Sequence, residues 1–249
     1  MKGLKIIVLL LVVLCPFSLL QSQTNEETEN DYQKWRLGVS GGMSYMIGNT
    51  KQAKRDMTDM GISSKLADDY YGDLKLGMVA GADFQYFFKP KYGLGVKYLF
   101  YSNSAELGEK VSLPLSGDGV TLFNGRVKEQ MYLNYVGPSF VTREFLGNQK
   151  KWAMTSLLSV GYVHCRNETL IADMPFVQTG NTLGLHGVVG IEYNFTKNIA
   201  LGLDLAYMYA FLSKYKISDG YTTQTIKLEN DKSENLSRLD LGLNLKFYF

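Results

Sequence analysis

From Leu236 to the final residue, Phe249, the side chains alternate between two chemical characters almost without error. Leu239, Leu241, Leu243, Leu245, Phe247 and Phe249 fall on one parity, and Arg238, Asp240, Gly242, Asn244, Lys246 and Tyr248 fall on the other. A period of two belongs to a β-strand whose faces meet different surroundings. One face here is wholly apolar, while the other carries charges of both signs. Such a strand suits a soluble sandwich as well as a membrane barrel. The recurrence of the pattern and the spacing between its copies decide.

The pattern recurs along the chain. Trp35–Met46 sets Leu37, Val39, Met43 and Tyr45 against Arg36, Gly38, Ser40 and Ser44. Leu74–Phe88 sets Leu76, Met78, Ala80, Ala82, Phe84, Tyr86 and Phe88 against Lys75, Gly77, Asp83 and Gln85. Gly93–Asn103 opposes Leu94, Val96, Tyr98 and Phe100 to Gly95, Lys97 and Asn103. Lys128–Val141 is less regular: Met131, Leu133 and Tyr135 alternate with Gln130, Tyr132 and Asn134, then Gly137-Pro138 interrupts. A proline cannot donate to the ladder, so a β-bulge is expected there. Lys151–His164, Thr182–Phe195 and Ile199–Leu212 alternate again, and with the C-terminal segment the total is about eight strands.

Segments of about eleven residues, rising roughly 3.3 Å each and tilted about 40–45°, cover an apolar band near 25 Å tall. Ordinary strands average only about five or six residues. The connections sort by length as well. Ile47–Asp73, Ser104–Val127, Arg166–Asn181 and Ser213–Asn235 are long and polar; Lys89–Tyr92, Thr142–Lys150 and Thr196–Asn198 are short. Strict long–short alternation gives one rim every excursion and the other only tight turns. These features predict a closed, eight-stranded, antiparallel up-and-down barrel spanning an outer membrane, with long loops extracellular and both termini periplasmic.

The N-terminus fits that destination. Lys2 and Lys5 precede an apolar run, Ile6–Leu14, and a short polar stretch, the layout of a secretory signal peptide. Residues 1–22 are assigned to it, with cleavage after Ser22 although Leu20 is not the usual small residue. Residues 23–34 form a flexible lead-in, and 35–249 the barrel domain. Leu14 precedes Cys15 where a lipobox needs a small residue, which argues against lipidation. Without Lys2 and Lys5 the basic and acidic residues balance at 24 each, so no nucleic-acid partner is expected. Cys165 then stands alone and cannot form an internal disulfide. With two histidines in the chain, no metal site and no cofactor are expected.

Hydrocarbon cannot satisfy exposed backbone groups, so a spanning sheet must close. The charged parity must then face the lumen, because Lys or Arg at the bilayer midplane costs about 2–4 kcal/mol. This predicts a lumen network of Arg36, Lys75, Lys97, Arg238 and Lys246 with Asp83, Glu192, Asp204 and Asp240. Asp83 and Lys97 fall opposite each other around a tight turn and are expected to pair. An eight-stranded barrel is just wide enough to be filled by side chains, so a filled polar lumen is predicted. Tyr86, Phe88, Tyr193, Phe195, Phe247 and Phe249 gather near the turn side, and Tyr45, Phe100, Tyr209 and Phe211 near the loop side, as two interfacial girdles.

With a signal peptide, about eight such strands and the terminal Leu243, Leu245, Phe247 and Phe249, the chain resembles the small outer-membrane β-barrel family of Gram-negative bacteria, with its OmpA-like and PorT-like members. The resemblance covers Trp35–Phe249. It implies outer-membrane lipid as surroundings and recognition of the closing aromatic strand by the barrel-assembly machinery, with Phe249 as the signal's last residue. It does not choose among anchors, adhesins, secretion components and enzymes.

The residues favour a non-enzymatic surface barrel for structural anchoring or surface binding. A PorT-like component of a secretion or transport assembly is the alternative, and a lipid-modifying enzyme a weaker one. No catalytic residue is assigned. His186 and Glu192 share a face but stand roughly 20 Å apart along one strand, and His164 and Cys165 point to opposite faces. The Ile47–Asp73 loop, with Met57, Met60, Ile62, Leu66, Tyr70 and Tyr71, is expected to be solvated with a short helix rather than a folded cap. Gly38-Val39-Ser40-Gly41-Gly42 lacks a following helix and reads as strand glycine. Glycosylation sequons at Asn167 and Asn235 carry little weight in a chain that resembles bacterial barrels.

Overall fold

The computed structural model describes residues 32–59, 62–107, 111–114, 122–171, 174–228 and 233–249. The expected signal peptide, 1–22, and the lead-in up to residue 31 lie outside the described residues. In chain order the elements are β1 (Trp35–Met46), α1 (Lys51–Asp59), α2 (Ser64–Lys75), β2 (Leu76–Lys89), β3 (Tyr92–Glu106), β4 (Val111–Pro114), β5 (Leu122–Gly125), β6 (Val127–Leu146), β7 (Trp152–Ile171), β8 (Met174–Asn194), β9 (Ile199–Leu212), β10 (Lys214–Ser218), β11 (Thr223–Lys227), β12 (Glu234–Asn235) and β13 (Arg238–Tyr248).

Eight of these strands form a ring. Antiparallel pairing runs β1–β2–β3–β6–β7–β8–β9–β13 and returns to β1, so the sheet has no free edge through the barrel. The closing seam runs from Arg36 opposite Tyr248 to Met46 opposite Arg238. At its end Trp35 and Phe249 exchange both backbone hydrogen bonds, at 2.8 and 3.0 Å. Both barrel termini therefore share the rim of the tight turns, as the loop lengths predict.

Gly42 and Gly242 face each other across this seam. A Cβ on Gly42 would sit 2.5 Å from Gly242 Cα, so only glycine allows the strands to approach this closely. Gly137 and Gly161 repeat the device between β6 and β7: a Cβ on Gly137 would lie 2.6 Å from Gly161 Cα.

The expected bulge at Gly137-Pro138 is absent. Bonding to β7 lapses there, but Val136 opposite Tyr162 and Ser139 opposite Ser159 keep one register. Ser159 Oγ donates to the Pro138 carbonyl at 2.7 Å, which gives that oxygen a side-chain partner. The register shift that does occur lies between Phe87 and Lys89, beside a tight turn.

Alternation sorts the faces as the C-terminal strand implies. Leu239, Leu241, Leu243, Met78, Leu94, Val96, Leu203 and Leu205 stand exposed on the exterior, while Arg238, Asp240, Asn244 and Lys246 are buried within. Strand β6 inverts the expectation that apolar means outward. Met131, Leu133 and Tyr135 point inward and are buried, and Val136, Pro138 and Phe140 take the exterior. These inward residues join Met46, Leu99, Tyr101, Val163, Cys165, Met208, Ala210, Leu212 and Leu236 in one apolar cluster.

Two expected loops turn out to be strand. β6, β7 and β8 run 20, 20 and 21 residues, against 12 and 11 for β1 and β13. At roughly 3.3 Å per residue they far exceed an apolar band of about 25 Å. Most of Arg166–Asn181 is thus hairpin, with Ile171 paired to Met174. Within Ser213–Asn235, β10 pairs with the upper part of β8 and β11 with β10.

The Ile47–Asp73 segment is a folded cap, which corrects the expectation of a solvated loop. Helices α1 and α2 bring Ile62 and Tyr70 against Ala105, Leu107 and Val127, with Met57, Leu66, Tyr71 and Leu74 packed around them. The apolar residues of that segment outweigh its exposed charges once β3 and β6 supply a surface to cover. Ser63 caps α2 by accepting the Leu66 N–H, and Tyr70 Oη donates to Glu129 Oε2 at 2.8 Å. No helix among the described residues is long and apolar enough to cross a membrane, which says nothing of strands.

Candidate functional site

Among the described residues, buried charge concentrates in the barrel interior. It divides along the barrel axis. On the turn side, Glu192 of β8 accepts from Arg143 Nε at 2.6 Å, Lys246 Nζ at 3.0 Å and Tyr248 Oη at 2.9 Å. Arg143 also donates to Asn194 Oδ1 at 2.6 Å, and its guanidinium lies 3.8 Å from the Tyr248 ring centroid. Lys246 reaches Thr155 Oγ1 at 3.2 Å. One carboxylate thereby ties β6, β8 and β13 together across the lumen. Burial without such partners would cost several kcal/mol, so the donors are what allow Glu192 to be fully enclosed.

Arg36 Nη2 lies 2.5 Å from Asp83 Oδ1, with both side chains buried. Gly38 makes room for this pair, since a Cβ there would meet Asp83 Oδ2. Asp83 does stand opposite Lys97 in the β2–β3 register. Its carboxylate nevertheless engages Arg36, correcting the expected Asp83–Lys97 ion pair. Lys97 instead lines a small cavity with Asp83, Asp204, Asn244 and Lys246. A second, adjoining cavity brings in His186 and Asp240. Each has room for only a few water molecules.

Further toward the loop rim, Arg238 Nε lies 3.2 Å from Asp240 Oδ1, Ser44 Oγ donates to Asp240, and the Arg238 guanidinium stacks 4.8 Å from the Tyr101 ring. Here the apolar cluster built on Met131, Leu133 and Tyr135 completes the filling. The lumen is therefore not wholly polar: charge fills its turn side and hydrocarbon most of its loop side.

Of the nine charges expected inside, Arg36, Asp83, Lys97, Glu192, Asp204, Arg238, Asp240 and Lys246 line the interior. Lys75 does not. It ends α2, and its Nζ lies 5.8 Å from the ring of Tyr45, an outward-facing residue. Arg143 lies beyond Val141, where the sequence pattern of the fourth strand ends, and so falls outside the expected network. The inward parity continuing from Val141 through Arg143 is the signal that could have found it.

Neither pair weighed for catalysis comes together. His186 is fully buried, its ring 5.8 Å from that of Tyr135, while Glu192 is occupied by Arg143, Lys246 and Tyr248. His164 faces outward and bonds Asn181 at 2.7 Å; Cys165 faces inward and is buried. No group of three or more His, Cys, Asp and Glu among the described residues is arranged to hold a metal ion.

On the exterior, aromatic side chains gather at both rims. Trp35 stacks on Phe84 at 5.1 Å and contacts Tyr86, and Trp152, Tyr193 and Phe195 form a chain of rings on the turn side. Tyr209–Phe211 and Phe100–Tyr132 pair toward the loop rim. Leu243, Leu245, Phe247 and Phe249 of the expected assembly signal lie on the exterior parity of the closing strand.

No family model matches the sequence, and no curated protein matches it by sequence. Solved structures match it over most of its length. Neisserial surface protein A matches at 12% identity with TM-score 0.47, over 86% of this chain and 97% of that one. The outer membrane protein OprG of Pseudomonas aeruginosa matches at 11% identity with TM-score 0.49, over 89% and 100%. The outer membrane protease OmpT of Escherichia coli matches at 10% identity with TM-score 0.44, over 91% and 99%. The strand pairings close the ring, and charge is buried within it while hydrocarbon is exposed outside. By those two criteria the chain is an eight-stranded antiparallel β-barrel of the outer-membrane type.

Proposed function

We propose that this chain is a non-enzymatic outer-membrane barrel, its lumen closed by its own side chains and its long connections displayed outside the cell for anchoring or surface binding. The tight turns and both termini face the periplasm; the helical cap and the tall β6–β7–β8 wall face outward. The observation that carries this reading is the filled interior. Nine charged groups and an apolar cluster occupy the space a channel would need, and neither candidate dyad is assembled. What remains available for function is the loop rim, which is where such a barrel is elaborated.

Outer-membrane lipid is the proposed surrounding, and the barrel-assembly machinery the partner during biogenesis, reading the strand that ends Leu243, Leu245, Phe247 and Phe249. The test has two arms. Protease added to intact cells should cut within the α1–α2 cap or the β10–β11 hairpin, and leave the 147–151 turn untouched until the membrane is breached. Purified barrel in planar bilayers should show no steady conductance. Cleavage confined to the turn rim would reverse the orientation, and a stable open channel would end the closed-lumen reading.

A further inference from the structure

The exterior of the tall wall carries a cationic fringe immediately beyond its apolar belt. Cross-strand register sets the levels. Val136, Tyr162 and Leu183 share one exposed apolar row, with Leu183 at 72% exposure. One outward row nearer the loop rim holds Asn134, His164 and Asn181. The next holds Tyr132, Arg166, Thr179, Lys216 and Thr225 on β6, β7, β8, β10 and β11. The same register puts Lys214, with Lys227 opposite it, level with Asn181, so cationic side chains begin one outward row, roughly 7 Å along the strand at about 3.3 Å per residue, beyond bare hydrocarbon. Allowing for strand tilt, that interval is comparable to the headgroup region of one leaflet, about 5–7 Å deep.

Lys214 and Lys227 reinforce the fringe. They are directly opposed on the β10–β11 hairpin and lie on the same face as Lys216, while Tyr215, Ile217 and Ile226 take the other. Tyr215 packs against the interior cluster, which fixes the lysines outward. All three lysines are exposed, and none has a carboxylate partner among the described residues. Like charges opposed across a strand pair are destabilising, and a bridging anion removes that cost. Arg166 gives one N–H to Glu168 at 2.7 Å, and a guanidinium has five donors. Thr179 and Thr225 place hydroxyls on either side of Lys216 in the same row.

We propose that Arg166, Lys214, Lys216 and Lys227 form a binding site for a membrane-lipid headgroup bearing two phosphates, in the leaflet around the loop rim. This rests on the outer-membrane reading and names a ligand class for its loop-side exterior. Charge complementarity selects phosphate, the fringe's position against the apolar belt selects a lipid over a soluble anion, and its spread over several strands, each about 4.8 Å apart, suits two phosphates rather than one.

The test uses the mature chain refolded in phosphatidylcholine vesicles, titrated with bisphosphorylated lipid A, its dephosphorylated form, or inorganic phosphate. The unfolding temperature is read by heat-modifiable gel mobility. Bisphosphorylated lipid A should raise it, and the Lys214→Gln/Lys227→Gln variant should need about 25-fold more lipid for half the shift, a factor of about five per lysine at an anionic surface. Lys151→Gln, on the turn rim, should titrate like the parent. An equal shift from dephosphorylated lipid A or from inorganic phosphate overturns the site, as does an unchanged titration of the double variant. Failure of the parent to insert in plain phosphatidylcholine removes the barrel reading and this site with it.

Discussion

Arg143 on β6 reaches past β7 to Glu192 on β8, closing to 2.6 Å between strands that are not neighbours in the ring. Ala153 of β7 stands opposite Glu192 and is fully buried. A larger side chain there would occupy the space through which the guanidinium extends. The contact is a cross-brace, and Lys246 and Tyr248 attach the closing strand to the same carboxylate.

Removing Glu192 leaves Arg143, Lys246 and Tyr248 enclosed with their acceptor gone. Glu192→Ala is expected to cost about 3–5 kcal/mol, and Glu192→Gln less because an amide oxygen still accepts. Urea unfolding of the refolded barrel in detergent measures both. Equal losses for the two variants would show that charge pairing, rather than hydrogen bonding, dominates at this position.

Leu243 faces outward and Asn244 inward on the same strand. Leu243→Arg should destabilise by about 2–4 kcal/mol through a guanidinium held in hydrocarbon. Asn244→Asp keeps the side chain's shape and places a carboxylate on the cavity that Lys97 and Lys246 line, so it should assemble nearly as the parent does. Heat-modifiable mobility compares them; similar yields of folded barrel would refute the assignment of faces.

At the closing seam, Gly42→Val should prevent β1 from meeting β13, since even a Cβ falls 2.5 Å from Gly242 Cα. No compact, heat-modifiable band is expected. Gly72 in α2 is the contrasting case, with nothing within 4 Å of an added Cβ. Gly72→Ala should stabilise the cap by about 0.5–1 kcal/mol through helix propensity, read as slower amide exchange in α2.

Burial, and then the neighbouring Glu129, raise the Glu234 carboxyl above its ordinary value of 4.5. The folded state therefore binds its proton more tightly than the unfolded state does. Stability from this group is full below about pH 4.5, is lost as pH rises toward the raised folded value, and then stays level. Amide exchange at β12 should quicken as pH climbs from 4.5, after correction for intrinsic exchange, and Glu234→Gln should remove the trend.

Much of this architecture was legible because a two-residue period reports two surroundings directly. The eight barrel strands, the sorting of long and short connections and the inward placement of Arg36, Asp83, Glu192 and Lys246 all follow from it. The period fails where both faces are mixed. In β6, Met131, Leu133 and Tyr135 look fit for lipid, yet they fill the lumen, and nothing local says which parity is enclosed. Loop structure escaped for a different reason. α2 buries Tyr70 against β3 and β6, and β10 borrows its pairing from β8, so both depend on contacts distant in the chain.

The interior cluster of Leu133, Tyr135, Tyr101 and Met208 is contributed by the staves of the barrel themselves. A stopper of this kind is part of the wall it closes, so moving it means moving the side chains of the hydrogen-bonded ring itself. On the closed-lumen proposal, any cargo or signal this molecule handles would pass over its outer contour.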